Sequence, residues 1–208
     1  MAFEWIGEEN YLRERVARNS ARTRGANCTS ADAAVMFERT DGRRQIVLIE
    51  WKYTESYGGL SLKIAKSGTD RTGIYRWLFD GDNCPIDKAL LPDFDRLFYE
   101  PFYQFMRQQF LASRMEMAKE LGADLVSLLH IAPNQNTDFW KVTSPELREL
   151  GKTATDVWKR LVGGCGRFMS VSTEELFGGL SSDRLPEMAA WLEYIAARYP
   201  WVRGSVRI

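Results

Sequence analysis

Glu50 and Lys52 close the apolar run Ile46-Val47-Leu48-Ile49, with Trp51 between them. Side chains alternate faces along an extended strand, so a carboxylate and an ammonium share one face while the indole points to the other. Charge at the end of a buried strand is costly unless it is compensated, and a metal ion is one group that would do so. The alternative reading of the tripeptide is an ion pair on an edge strand. Upstream, Asp32 begins a second short extended run, Asp32 to Glu38, and Thr40-Asp41-Gly42-Arg43-Arg44 separates it from the run Gln45 to Tyr53. An Asp-Gly pair between apolar stretches signals a hairpin, because glycine supplies the positive φ of tight turns. These two runs are expected to pair antiparallel, one strand apart.

The remaining elements must hold that hairpin in place. An N-terminal helix is expected from Glu8 to roughly Arg22. A weakly patterned stretch, about 54–95, reads as a partly ordered insertion with a short helix from about Asp70 to Phe79. A long helix is expected from Pro101 to about Leu121, capped by Gly122, with Phe98, Phe102, Phe105 and Ala112 on its inner side. Leu125 to Ile131 reads as a central strand, Thr153 to Leu161 as a helix, and Arg167 to Val171 as a short strand. Ser172 starts another helix, and Leu185 to Tyr199 forms the last one, with Trp191, Ile195 and Ala196 buried. The expected architecture is α/β: one domain over 1–208, built on a small mixed central sheet with an early antiparallel hairpin, flanked by helices.

Composition narrows the function classes. The 28 basic and 28 acidic residues cancel, so any nucleic-acid contact must be local rather than a bulk attraction. The local candidate is Arg15, Arg18 and Arg22, which recur at helical steps, although a solvated face explains them equally well. No segment approaches a membrane span, and no signal-peptide pattern opens the chain. Three isolated cysteines argue against a disulfide framework and a cysteine metal cluster. A soluble, cytoplasmic protein is expected. Zinc modules, phosphate-binding glycine loops with lysine and nucleophile elbows lack their motifs.

A helix, a strand starting at Asp32, a hairpin and a strand ending in Glu50-Trp51-Lys52 resembles the PD-(D/E)xK nuclease superfamily, the restriction-endonuclease-like fold. Ala31 stands where the motif's name has proline. Tyr99-Glu100-Pro101-Phe102-Tyr103-Gln104 resembles a segment of bacterial restriction-endonuclease-like proteins of undefined role. The resemblance implies that Asp32 and Glu50 bind Mg²⁺ or Mn²⁺, with the Trp51 carbonyl as a further ligand, and that Lys52 positions or activates water. Glu9 matches an extra acidic residue on the first helix of some members, and Glu8 or Glu14 could take its place. Mg²⁺ suits this set, because it prefers oxygen ligands in octahedral geometry and keeps coordination sites for water and phosphate. It neutralises charge on the phosphoryl group and acidifies bound water.

The resemblance thus implies a metal-dependent nuclease acting on phosphodiester bonds, with DNA as the expected partner and no membrane. The alternative is an inactive binding module on the same fold. A homodimer is one arrangement that would supply two active sites for double-strand cutting. On the long helix, Gln104, Arg107 and Gln108 share a face, and Gln104 and Gln108 are candidate contacts at the edge of the site or to nucleic acid, as are Arg18 and Arg22. His130, at the end of an apolar strand, reads as a core or rim histidine with satisfied ring nitrogens rather than a ligand. The aromatic residues around Trp77 and Phe98 to Phe105 could stack bases, but their helical spacing makes most of them core.

Overall fold

The chain is described by a computed structural model covering residues 1–14, 22, 28–164 and 166–205. Its centre is a five-stranded sheet in sequence order: β1 (Ala2–Trp5), β2 (Ala31–Glu38), β3 (Arg44–Trp51), β4 (Leu125–Ala132) and β5 (Phe168–Ser172). The first three strands pair antiparallel and the last two join in parallel. The β2–β3 hairpin forms as expected. Arg39 and Gly42 close its turn through Arg39 N–H to Arg43 O and Gly42 N–H to Arg39 O, both 2.9 Å, and Gly42 sits at φ +78°. A Cβ there would meet nothing within 4 Å, so the requirement is the backbone conformation rather than space.

β3 is interior and apolar on both faces. Ile46 and Leu48 join the main core, while Trp51 on the opposite face packs against Phe177. Parallel pairing of β3 with β4 demands a long crossover, and the chain supplies it with α1 (Thr72–Asp80) and α2 (Phe102–Met117). The sequence of α2 contains no β-branched residue, which favours a helix. Phe102, Phe105, Phe110, Ala112 and Met115 of α2 are buried in the main core. The segment about 54–95 contributes Tyr75, Leu78, Ile86, Leu91 and Phe94 to this core. Two capping boxes start α3 (Ala154–Leu161) and α4 (Thr173–Gly178), Thr153 with Asp156 and Ser172 with Glu175. The final helix, α5 (Ala189–Arg198), packs Leu192 and Ile195 with Phe177 and Val202 in a satellite cluster.

Three expectations are corrected. Residues 8–14 are bends and turns, not helix, and the rest of the expected N-terminal helix, apart from Arg22, lies outside the described residues. Tertiary bonds override local propensity there: Glu120 accepts from the Glu8 N–H and from Trp5 Nε1, Gly7 adopts φ +75°, and Arg13 adopts φ +52°. A short edge strand, β1, precedes this segment and is too brief to show an alternation signal. α2 stops at Met117, and a separate 3-10 turn, Glu120–Gly122, follows Lys119 at φ +53°. Trp191 is 41% exposed, because the buried stripe of α5 is Leu192, Ile195 and Ala196, and Trp191 falls one position off it.

Candidate active site

The β2–β3 register pairs Ala33 with Ile49 and Ala34 with Leu48, so Asp32 stands across from Glu50 one step further on. Asp32 Oδ2 accepts the Trp51 N–H at 2.7 Å, which fixes its carboxylate against the end of β3. Glu50 lies on the sheet face covered by α2 and is 5% exposed. Its Oε1 receives the Lys52 ammonium at 2.6 Å and Gln104 Nε2 at 2.7 Å, and its Oε2 receives Gln108 Nε2 at 2.6 Å. Gln108 also donates to the Ser30 carbonyl at 3.2 Å, linking the helix to the chain entering β2. Glu100 in turn accepts the Gln104 N–H at 3.3 Å. The two glutamines suggested by i,i+4 spacing therefore meet the first acidic residue of the tripeptide.

Burial pushes the Glu50 carboxyl above the usual carboxylate range and Asp32 adds to the rise, while Lys52 and Gln108 pull against it. For Lys52, burial opposes the charge, but the Glu50, Glu55 and Asp32 carboxylates outweigh it and raise its pKa. The ammonium is held between Glu50 and Glu55, the latter at 3.7 Å. No sequence pattern singles out Glu55, although it stands three residues after Lys52.

Replacing Gln108 by Leu tests how much the carboxylate depends on the helix. The variant leaves Glu50 Oε2 and the Ser30 carbonyl without this donor, and we expect urea unfolding to show a loss of about 1–3 kcal/mol. An unchanged unfolding midpoint would mean that water replaces the glutamine without cost.

The other candidates fall elsewhere. Glu9 is exposed, its carbonyl accepts from Arg22, and its charge acts on the Tyr11 hydroxyl. Glu14 is buried, but its oxygens accept from Thr29 and from the Tyr75 hydroxyl. Arg22 directs its guanidinium to the carbonyls of Ile6, Gly7, Glu8 and Glu9 at 2.6–2.8 Å. Arg15 and Arg18 lie outside the described residues. Arg107 turns away from Gln104 and Gln108 and stacks over Tyr103 at 4.8 Å. His130 is a core residue, 1% exposed, but its ring nitrogens have no partner among the described residues, which corrects the expectation that they are satisfied. It stacks on Phe139 at 4.5 Å and 7°, beside Glu50 in the β3–β4 register.

The donor chemistry fits a hard divalent cation. Asp32 and Glu50 offer carboxylate oxygens on neighbouring strands, and the charge held there by Lys52 shows that the position stabilises a cation. Among the described residues no group of three or more His, Cys, Asp and Glu side chains comes together, so water and backbone oxygen would complete such a coordination shell. Among the same residues no helix is long and apolar enough to cross a membrane. No curated protein and no solved structure matches the chain. A family model does, over residues 1–200, with the description "Restriction Endonuclease associating with ARP". With a mixed five-stranded sheet, an early hairpin, flanking helices and that match, the chain belongs to this restriction-endonuclease-like family.

Proposed function

We propose that the protein is a metal-dependent nuclease of the PD-(D/E)xK type that hydrolyses phosphodiester bonds in DNA, with Asp32, Glu50 and the Trp51 carbonyl holding Mg²⁺ or Mn²⁺. The observation that carries this reading is the buried Glu50–Lys52 pair, 2.6 Å apart, with Asp32 across the hairpin and two glutamines from α2 converging on the same carboxylate. When bound, a divalent cation supplies charge neutralisation at the phosphoryl group and lowers the pKa of water. The protein's own residues do the rest. Gln104 and Gln108 hold the Glu50 carboxylate in one orientation. Asp32 is aimed by the Trp51 N–H. Lys52 extends its ammonium beside the scissile phosphate, where it donates a hydrogen bond and orients the attacking water.

Purified protein with Mg²⁺ or Mn²⁺ should cut DNA, and Asp32→Ala or Glu50→Ala should each lower the rate by about 10³-fold, since metal-assisted charge stabilisation contributes several kcal/mol. Undiminished cutting by either variant would remove the assignment. The association with ARP that the family's description names belongs to the same proposal, as does a homodimer for double-strand cutting. A second reading is favoured by one observation: both Glu50 oxygens are already filled by N–H donors, as in an inactive DNA-binding module on this fold. Melting temperature separates the two. A rise with Mn²⁺ that Asp32→Ala abolishes supports the enzyme, because only native-state binding stabilises.

A further inference from the structure

Behind the tripeptide, on the face of the sheet opposite Glu50 and Lys52, lies a pocket of about 350 Å³ walled by aromatic rings. Trp51 packs on Phe177 at 5.9 Å, and Phe177 on Trp191 at 5.8 Å. Tyr53 packs on Trp201 at 6.0 Å and on Tyr199 at 5.9 Å. Trp51, Tyr53 and Trp191 are 39%, 47% and 41% exposed, an unusual amount of aromatic surface to leave beside a cavity. Thr173 also lines the pocket. It is 2% exposed, and its Oγ1 is buried with no hydrogen-bond partner among the described residues. An orphaned buried hydroxyl is costly, and a χ1 rotation that turns it into the pocket toward the polar edge of a ligand removes that cost.

The lining selects among ligand classes. It carries no charged residue, so a quaternary ammonium would be held by cation–π contacts alone and would leave the Thr173 hydroxyl without a partner. An aliphatic chain would fill the space and leave the Thr173 hydroxyl unpaired. A nucleobase offers two π faces for the rings and a polar edge for the hydroxyl. Trp51 joins the pocket to the proposed site, since its N–H holds Asp32 while its ring forms part of the wall.

We propose that this pocket receives one unstacked nucleobase of the DNA strand whose phosphate lies at Glu50 and Lys52. The inference rests on the nuclease reading and is tested apart from it. In EDTA, the full-length protein is titrated into a short labelled single-stranded oligonucleotide, its duplex and an abasic strand of equal length, with binding followed by anisotropy. The single strand should bind more tightly than either of the others. Trp191→Ala should weaken it about tenfold, the effect of one lost stack. Thr173→Val should weaken it about fivefold without lowering the melting temperature, because the valine removes an orphaned hydroxyl at nearly constant volume. Unchanged affinity in Thr173→Val, or full affinity for the abasic strand, overturns the pocket assignment even if DNA is cut. Weakened binding in a protein that cuts nothing keeps the pocket and removes the nuclease reading.

Discussion

Replacing Lys52 with Met should abolish DNA cutting and also lower stability by about 2–3 kcal/mol, a drop of roughly 5–10 °C in melting temperature for a chain this size. The methionine keeps most of the aliphatic stem, so the losses trace to the charge. In the folded protein the ammonium lies 2.6 Å from Glu50 and 3.7 Å from Glu55, and the Lys52 side chain is 13% exposed. Removing one partner of a buried pair strands the other, typically at 3–5 kcal/mol. The loss here is smaller because Gln104 and Gln108 still donate to Glu50, and because burial already favours its protonated form. The double variant Lys52→Met/Glu50→Gln should therefore lose less stability than the two single variants together, although equally inactive. Additive destabilisation in that cycle would show that the two charges do not act on each other. Residual cutting by Lys52→Met near the parent rate would remove lysine from the proposed mechanism.

Much of the site was legible because its signals are local. The Asp-Gly turn fixes the hairpin, the hairpin register sets Asp32 opposite Glu50, and i,i+4 spacing turns Gln104 and Gln108 together toward the sheet. The described start of the expected N-terminal helix, residues 8–14, departs from it for the opposite reason. Its acidic start and arginine spacing are compatible with a helix, but contacts from Glu120, more than a hundred residues away, hold residues 5–8 in another path. The aromatic pocket was illegible for the same cause. Its walls come from the end of β3 and from 173–202, and nothing in either stretch alone announces a shared cavity. An unpaired hydroxyl such as that of Thr173 is a property of the assembled fold, and no sequence pattern encodes it.

The unpaired ring of His130 carries the second large prediction. Burial against Phe105, Phe139 and Phe168, reinforced by the nearby Lys52 charge, drives its pKa from 6.5 down to about 3. Above pH 6.5 neither the folded nor the unfolded chain protonates it, and the group has no effect on stability. Below that pH the unfolded chain takes up a proton and the folded one does not, so stability falls by about 1.4 kcal/mol per pH unit until the folded ring itself titrates. Between pH 6.5 and pH 4 the loss reaches about 3 kcal/mol. His130→Phe keeps an aromatic ring on Phe139, removes the proton site, and should flatten the acid limb by that amount while leaving stability at pH 7 equal or higher. Denaturant unfolding of both proteins at several pH values, in EDTA, gives the difference directly. Carboxylates such as Glu100, whose pKa burial raises, contribute to both proteins alike. If phenylalanine overfills the site, His130→Leu must show the same flattening, because the slope depends on the lost proton and not on packing. Parallel pH profiles for parent and variants would mean that the ring is protonated in the folded state, which its partnerless position among three phenylalanines argues against.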